Sequence, residues 1–264
     1  MNLLVCVKQV PDTETVEIDE ETHTLRRGDA PATINPFDAF ALEAALRLAE
    51  AAGGRITVLS MGPKAAESTL RHCLAVGADR GVLLSDIAFA GADSLATART
   101  LSAAIKFLEA RDGRPFDVIF CGKKAIDGDT AQVGPEMAEF LDIPQITSVY
   151  DVEYTDGTLR FLRKTDVQKE VSAARTPLLV TVMKTDYQPR YPTLKGKLAA
   201  RNMALAMITN ADLELDEATV GLKGSPTTVL KTAASAYRRT CVRIDDEPHG
   251  DTAARKLTRA LLKI

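Results

Sequence analysis

The sequence of 264 residues is poor in the side chains that build self-sufficient chemistry. Its four cysteines, Cys6, Cys73, Cys121 and Cys241, stand far apart and form no CxxC pair. That spacing argues against a disulfide framework and against an iron–sulfur cluster. Cys6 and Cys121 lie inside apolar runs, where a reduced thiol acts as a small hydrophobe. The histidines His23, His72 and His249 lack ligand spacing, so no metal site is expected. Positive charge is not in surplus either: 33 Lys and Arg against 36 Asp and Glu give a net charge of −3. A nucleic-acid backbone would find no excess cations to neutralise it. No apolar run approaches the roughly 20 residues that cross a bilayer. The opening MNLLVCVKQV goes straight into a strand pattern without signal-peptide features, so a reducing cytoplasm is the expected location. GxxxxGK[ST] and GxGxxG are both missing. So are a Ser–His–Asp set and paired carboxylates in an apolar setting. Any chemistry must therefore come largely from a bound cofactor.

What is present is an ordinary globular composition, 45% hydrophobic and 26% charged, with length enough for one large core or two small ones. Short apolar runs alternate with amphipathic stretches. Residues 3–7, 56–60, 81–84 and 118–121 read as strands, and residues 38–52, 64–76, 94–110 and a stretch ending near Leu141 read as helices. Wholly apolar strands alternating with helices predict an α/β fold, a doubly wound and mostly parallel sheet over about the first 150 residues. After Pro144 the pattern changes. Residues 148–154 and 158–163 flank Thr155-Asp156-Gly157, a hairpin signal, and residues 178–183 read as a strand added antiparallel. From about Asn210 the chain turns polar and aperiodic, so it is expected to lie on another surface. A short amphipathic helix over 251–264, marginal by itself, is expected to be docked. The division is a nucleotide-binding α/β unit over 1–209 and a C-terminal arm and helix over 210–264.

Four segments combine polar groups with turns. The richest runs from Gly122 to Pro135, after the strand at 118–121. Strand, glycine, polar loop and helix start form the cradle in which open α/β sheets hold a nucleotide. Free N–H groups and Thr130 would meet a phosphate, while Asp127 or Asp129 would meet a ribose or shape the loop. Asp129 with Gln132 has capping-box spacing, and Pro135 either kinks the first turns or delays the regular helix. The plainer alternative is a turn with solvated charges. In Asn35-Pro36-Phe37-Asp38, Asn35 is placed to reach an adenine edge, or Asp38 simply caps the helix. In Phe89-Ala90-Gly91-Ala92-Asp93-Ser94-Leu95-Ala96-Thr97, Gly91 admits a large ligand, or Asp93 or Ser94 is a cap. In Pro189-Arg190-Tyr191-Pro192-Thr193-Leu194-Lys195-Gly196-Lys197, a protruding Leu194 among cations is a partner contact, or Leu194 folds inward.

Together and in this order, with Val7-Lys8-Gln9-Val10-Pro11-Asp12, Ser60-Met61-Gly62-Pro63 and Ala75-Val76-Gly77-Ala78-Asp79-Arg80, these segments resemble the β subunit of electron-transfer flavoprotein over nearly the whole chain. The resemblance implies a Rossmann-like fold of the adenine-nucleotide α-hydrolase type, a heterodimer with an α subunit, and no independent enzyme activity. It implies a nucleotide pocket of Cys6, Asn35, Pro36, Phe37, Asp38, Met61 and the run Gly122, Lys123, Lys124, Ala125, Ile126, Asp127, Gly128, Asp129, Thr130, Ala131, Gln132 and Val133. In ordinary members that pocket holds AMP; in electron-bifurcating members it holds FAD reduced by NADH. VKQVPDT, FAGADSLAT and DGDTAQVGP are similar to the bifurcating subgroup, which favours FAD and adds Phe89, Gly91, Ala92, Asp93 and Thr97 to the pocket. Partners then implied are an acyl-CoA dehydrogenase, met by Tyr191, Leu194 and Lys195, and a low-potential acceptor such as ferredoxin or flavodoxin. Glu170 matches a glutamate near the α-subunit flavin, although Val167 and Gln168 stand where the family has Gly-Gly. The lysine-rich run after the recognition loop at 187–201 is also thinner here, with Ala199-Ala200-Arg201-Asn202. Two rivals remain: a β subunit holding a structural AMP, and a free-standing adenine-nucleotide enzyme or sensor.

Overall fold

A computed structural model describes residues 1–12, 32–155, 157–228, 242–246 and 251–262. His23, Cys241, His249 and the hairpin residue Asp156 lie outside them. In chain order the elements are β1 (Asn2–Cys6), β2 (Gln9–Pro11), β3 (Ala32–Ile34), α1 (Pro36–Ala52), β4 (Arg55–Met61), α2 (Glu67–Val76), β5 (Arg80–Leu84), α3 (Ser94–Asp112), β6 (Val118–Gly122) and α4 (Val133–Leu141). Then follow β7 (Gln145–Thr155), β8 (Thr158–Lys164), β9 (Lys169–Ala173), β10 (Leu178–Val182), α5 (Leu194–Asn202), β11 (Leu205–Ile208), α6 (Asn210–Leu213) and α7 (Ala253–Leu262).

The α/β expectation holds. The main sheet has the order β11-β5-β4-β1-β6-β10-β7-β8-β9 and is parallel from β11 through β7. Alternating side chains send Leu3 and Val5 into a core shared with α1 and α2, and Leu4 into a second core under α3 and α4. Both faces are thus covered, which is why the inner strands are apolar on both sides. From β1 the chain winds through β4 to β5 on one side, then returns to place β6 on the other side of β1. The winding direction reverses between β1 and β6, and open α/β sheets bind ligands at the carboxyl ends of the strands flanking such a point.

The strand near 178–183 corrects its expectation. It is β10, wedged parallel between β6 and β7, and all five of its residues are buried. Burial on both faces belongs to an inner strand. The antiparallel part is the β7–β8–β9 meander. β7 outgrows the expected 148–154 because its first half pairs with β10 and its second with β8, across an irregular register and a positive φ of 58° at Ser148. The helix expected over 64–76 opens with a 3-10 turn at Lys64–Ala66. Inside the expected recognition loop, α5 starts at Leu194, capped by the Thr193 hydroxyl, which accepts the Gly196 N–H at 3.0 Å.

Candidate functional site

At the reversal point, the carboxyl ends of β1 and β6 are fastened to the start of α1. Asp38 is 6% exposed; one carboxylate oxygen accepts the Lys8 N–H at 2.7 Å and the other accepts the Gly122 N–H at 3.2 Å. Asp38 is therefore a brace between two strands, not the helix cap that the sequence allowed; Asn35 holds the cap position. A Cβ on Gly122 would come within 2.2 Å of Asp38 Oδ1, so that close approach requires glycine. Burial pushes the Asp38 carboxyl up to about 7, against the opposing hydrogen bonds from Asn35, Lys8 and Gly122. Asn35 is fully buried. Its side-chain amide donates to Lys124 O at 2.9 Å, and its oxygen accepts the Ile126 N–H at 3.2 Å. Both ends are spent on residues 124–126, so the structure gives Asn35 the work of shaping the loop rather than reading an adenine edge.

The loop itself is held by charge. Lys8 Nζ pairs with Asp127 at 2.7 Å and Lys124 pairs with Asp129. These pairs are partly exposed and worth little each, but they orient the carboxylates along the loop. Asp129 is not a helix cap. It lies at φ 56°, as does Ala131, and α4 starts later, at Val133, with Pro135 inside its first turn. Two non-glycine residues in that sparsely populated region are an unusual local cost, of the kind that clusters at ligand clamps. Among the described residues, the N–H groups of Thr130, Ala131, Gln132, Val133 and Gly134 are donated to no protein acceptor. Lys123 likewise has no acidic partner there, while its N–H donates to Val182 O at 2.7 Å. A row of free N–H groups leading into a helix start, with a cation beside it, suits an anion.

Cys6, Met61 and Val133 pack against the α3–α4 core, which also contains Phe89 and Cys121. The hydrogen bond with Cys6 and burial hold the Cys121 thiol well above its ordinary range, and burial does the same to Cys73. Both thiols stay protonated, so neither is a nucleophile. The loop at 89–97 closes onto the start of α4: the Ser94 hydroxyl lies 3.2 Å from Glu136 Oε1 and 3.5 Å from Gln132 Oε1. The second carboxylate oxygen of Glu136 is shielded from solvent and has no partner among the described residues. Asp93 caps α3, accepting the Ala96 N–H at 3.0 Å, as one sequence reading had it. Gly91 has φ 72° and lies against Leu222, while Thr97 sits in the first turn of α3 with its N–H bonded to Asp93 O.

The recognition segment lies on a different face. Tyr191 is 90% and Leu194 75% exposed, and Lys195 is exposed beside them. A cleft next to Leu194 is lined by Arg71, His72, Lys197 and Leu198. Sequence reasoning missed what holds this segment. Arg190 grips the nearly buried Glu43 with two nitrogens at 2.9 Å, adds its own N–H at 3.0 Å, and reaches Glu50 at 2.5 Å. The i, i+7 spacing of two glutamates on α1 was the available signal. Glu170 sits on the edge strand β9, 3.4 Å from Arg163 and accepting from Gln168 at 2.6 Å. The Val167 turn closes through Thr165 and Gln168.

No group of His, Cys, Asp and Glu among the described residues has the arrangement of a metal site, and no helix among them is long and apolar enough to cross a membrane. The chain matches the electron transfer flavoprotein domain over residues 22–213. It is 50% identical over 240 residues, 90% of each chain, to a protein of Thermoanaerobacterium thermosaccharolyticum named electron transfer flavoprotein subunit beta. It is 42% identical over 233 residues, 88% of this chain and 87% of the other, to the caffeyl-CoA reductase-Etf complex subunit CarD of Acetobacterium woodii. It is 40% identical over 242 residues, 90% of this chain and 85% of the other, to protein FixA of Azotobacter vinelandii.

Proposed function

Because the chain belongs to the electron transfer flavoprotein family as a β subunit, we propose that its crevice holds FAD and that it works in a heterodimer with an α subunit as an electron-bifurcating carrier. The observation that carries FAD over AMP is the meeting of two loops. The cradle at 122–133 accounts for an adenosine phosphate. Ser94, at the mouth of loop 89–97, touches Glu136 and Gln132 at the start of α4. The loop and the helix start thus form one continuous surface, along which a nucleotide longer than AMP would extend. The residues present therefore fit a ligand that extends past its adenosine half.

In this reading Lys123 and the free N–H groups of residues 130–134 take the diphosphate, and Asn35 and Asp38 fix the loop that presents them. Cys6, Met61 and Phe89 give the crevice its apolar wall. Bound FAD supplies hydride acceptance and one-electron release; the chain binds, orients and shields it. NADH provides the electron pair. That pair would be divided between a low-potential acceptor such as ferredoxin or flavodoxin and an acyl-CoA dehydrogenase, which would meet Tyr191, Leu194 and Lys195. The relative named for a caffeyl-CoA reductase complex supports a partner acting on a CoA thioester. Glu170, half-buried beside Arg163 on the edge strand β9, is the residue that the resemblance sets near the α-subunit flavin.

Flavin stoichiometry of the purified heterodimer tests this. Two FAD per dimer is the expected result. One FAD with one AMP would leave a simple carrier with a structural nucleotide. A stable monomer that turns over ATP without an α subunit would overturn the assignment as a whole.

A further inference from the structure

The polar C-terminal tract was expected to lie on another surface, and part of that surface is the chain's own cofactor loop. Val220 is 1% exposed and anchors residues 219–227 in the α3–α4 core. From there the tract crosses residues 88–99. The Leu222 N–H donates to Ala90 O at 2.9 Å, and Arg99 Nη1 donates to Thr219 O at 3.0 Å. At Gly221, with φ 56°, an added Cβ would come within 2.1 Å of Ala88 O. The crossing is closed by Asp93. While one carboxylate oxygen caps α3, the other accepts both the Thr227 N–H at 3.0 Å and the Thr227 hydroxyl at 2.8 Å. The Asp93 N–H donates to the Ser225 hydroxyl at 2.8 Å, which in turn donates to Gly221 O at 2.7 Å.

We propose that residues 216–228 are a strap, latched by Asp93 to Thr227 and Ser225, that holds loop 89–97 at its wall of the crevice, so that Asp93 is a positioning residue and not a ligand contact. The inference rests on the nucleotide reading for its effect on binding, but the latch itself is independent of it. Both Asp93 oxygens are already engaged, which leaves the side chain little to offer a cofactor. Burial alone pushes the Asp93 carboxyl up, but the donors from Ala96 and Thr227 outweigh it and hold the group below the usual carboxylate range. Ser94, the next residue, touches Gln132 and Glu136, so the position of the strap is relayed to the start of α4. In sequence, the strap precedes α7 (Ala253–Leu262). The root of the C-terminal arm is thereby tied to the crevice.

The test uses the full-length protein with Thr227→Val and Thr227→Ser, followed by amide hydrogen exchange of the ligand-free chain and by titration with FAD and with AMP. Removing a donor to a carboxylate weakens the latch about tenfold. Thr227→Val is expected to raise exchange across residues 88–97 and 219–227 by about that factor, and to weaken the tighter-binding nucleotide several-fold. Thr227→Ser, which keeps the hydroxyl, is expected to restore both. Wild-type exchange in Thr227→Val, or failure of the serine variant to rescue, would overturn the latch. If the wild type takes up neither nucleotide, the crevice assignment fails, while the exchange comparison still decides the latch.

Discussion

At the scale of single residues, Asp38 concentrates the physics of the site. Its carboxylate joins β1 and β6 through two backbone N–H groups, yet burial lifts its titration from 3.8 to about 7. The unfolded carboxyl releases its proton near its ordinary value, whereas the folded one keeps it to about pH 7. Between those limits folding takes up a proton, so this group's contribution to stability falls as pH rises through the window and levels off above it. The full span is at most about 4 kcal/mol. Asp38→Asn should remove that pH dependence, seen as the difference between wild-type and variant unfolding curves at pH 5 and pH 8. The variant should also lose about 1–3 kcal/mol at pH 5, because an amide NH2 would face one of the two N–H donors. Equal pH profiles for the two proteins would contradict the assignment. Very little of this was legible beforehand. Asn35 and Asp38 read as a ligand contact or a cap because the partners the structure gives them, Lys8 at 30 residues and Gly122 to Ile126 at 84 to 91, are far away in sequence, and local pattern carries no such distance. Asp93 as a cap was legible, since capping is a local rule, but its second bond to Thr227 was not.

At the scale of elements, the alternation of apolar strands and amphipathic helices gave the parallel sheet, since burial on both faces leaves a signature in every inner strand. The same rule applied to β10, with its wholly buried Leu178–Val182, would have set it inside the parallel sheet; a position after a hairpin suggested antiparallel pairing instead. The helix α5 was hidden because Pro189 and Pro192 suggest a loop, although Thr193 is a good cap. α5 itself is seated on α2, where Arg71 donates to Ala200 O and Gly196 lies against Ala75; the segment that leads into it is held by the fork of Arg190 on Glu43 and Glu50. A lysine carries the charge without the planar geometry. Arg190→Lys should therefore loosen residues 187–197, measured as increased amide exchange there, and slow electron delivery to the proposed dehydrogenase partner severalfold with Leu194 intact. Leu194→Ala should do the reverse: its side chain is largely exposed, so stability should change by less than about 0.5 kcal/mol while the rate with the partner drops by about tenfold or more. A Leu194→Ala protein that melts several degrees lower would show that the side chain is packed rather than presented.

At the scale of the whole molecule, the nine-stranded sheet completes its cores without α7. Leu257, Leu261 and Leu262 remain 48%, 74% and 60% exposed, although the spacing of 257 and 261 puts two of them on one side of the helix. Among the described residues nothing covers that stripe, and a free ten-residue helix is marginal in water. The chain is an electron transfer flavoprotein β subunit, so the cover expected is the α subunit. A charge placed on the stripe would then have to be desolvated at the interface, at a cost of several kcal/mol. In a monomer the same charge would stay in water at nearly no cost. Leu261→Glu should therefore abolish co-purification with the α subunit, while the unfolding midpoint of the isolated β chain and its nucleotide affinity stay at the wild-type values. Loss of both association and β-chain stability would instead place α7 on the β subunit's own surface, and the strap at 216–228 would then be the first part of a longer intramolecular wrap rather than the root of an arm reaching a partner.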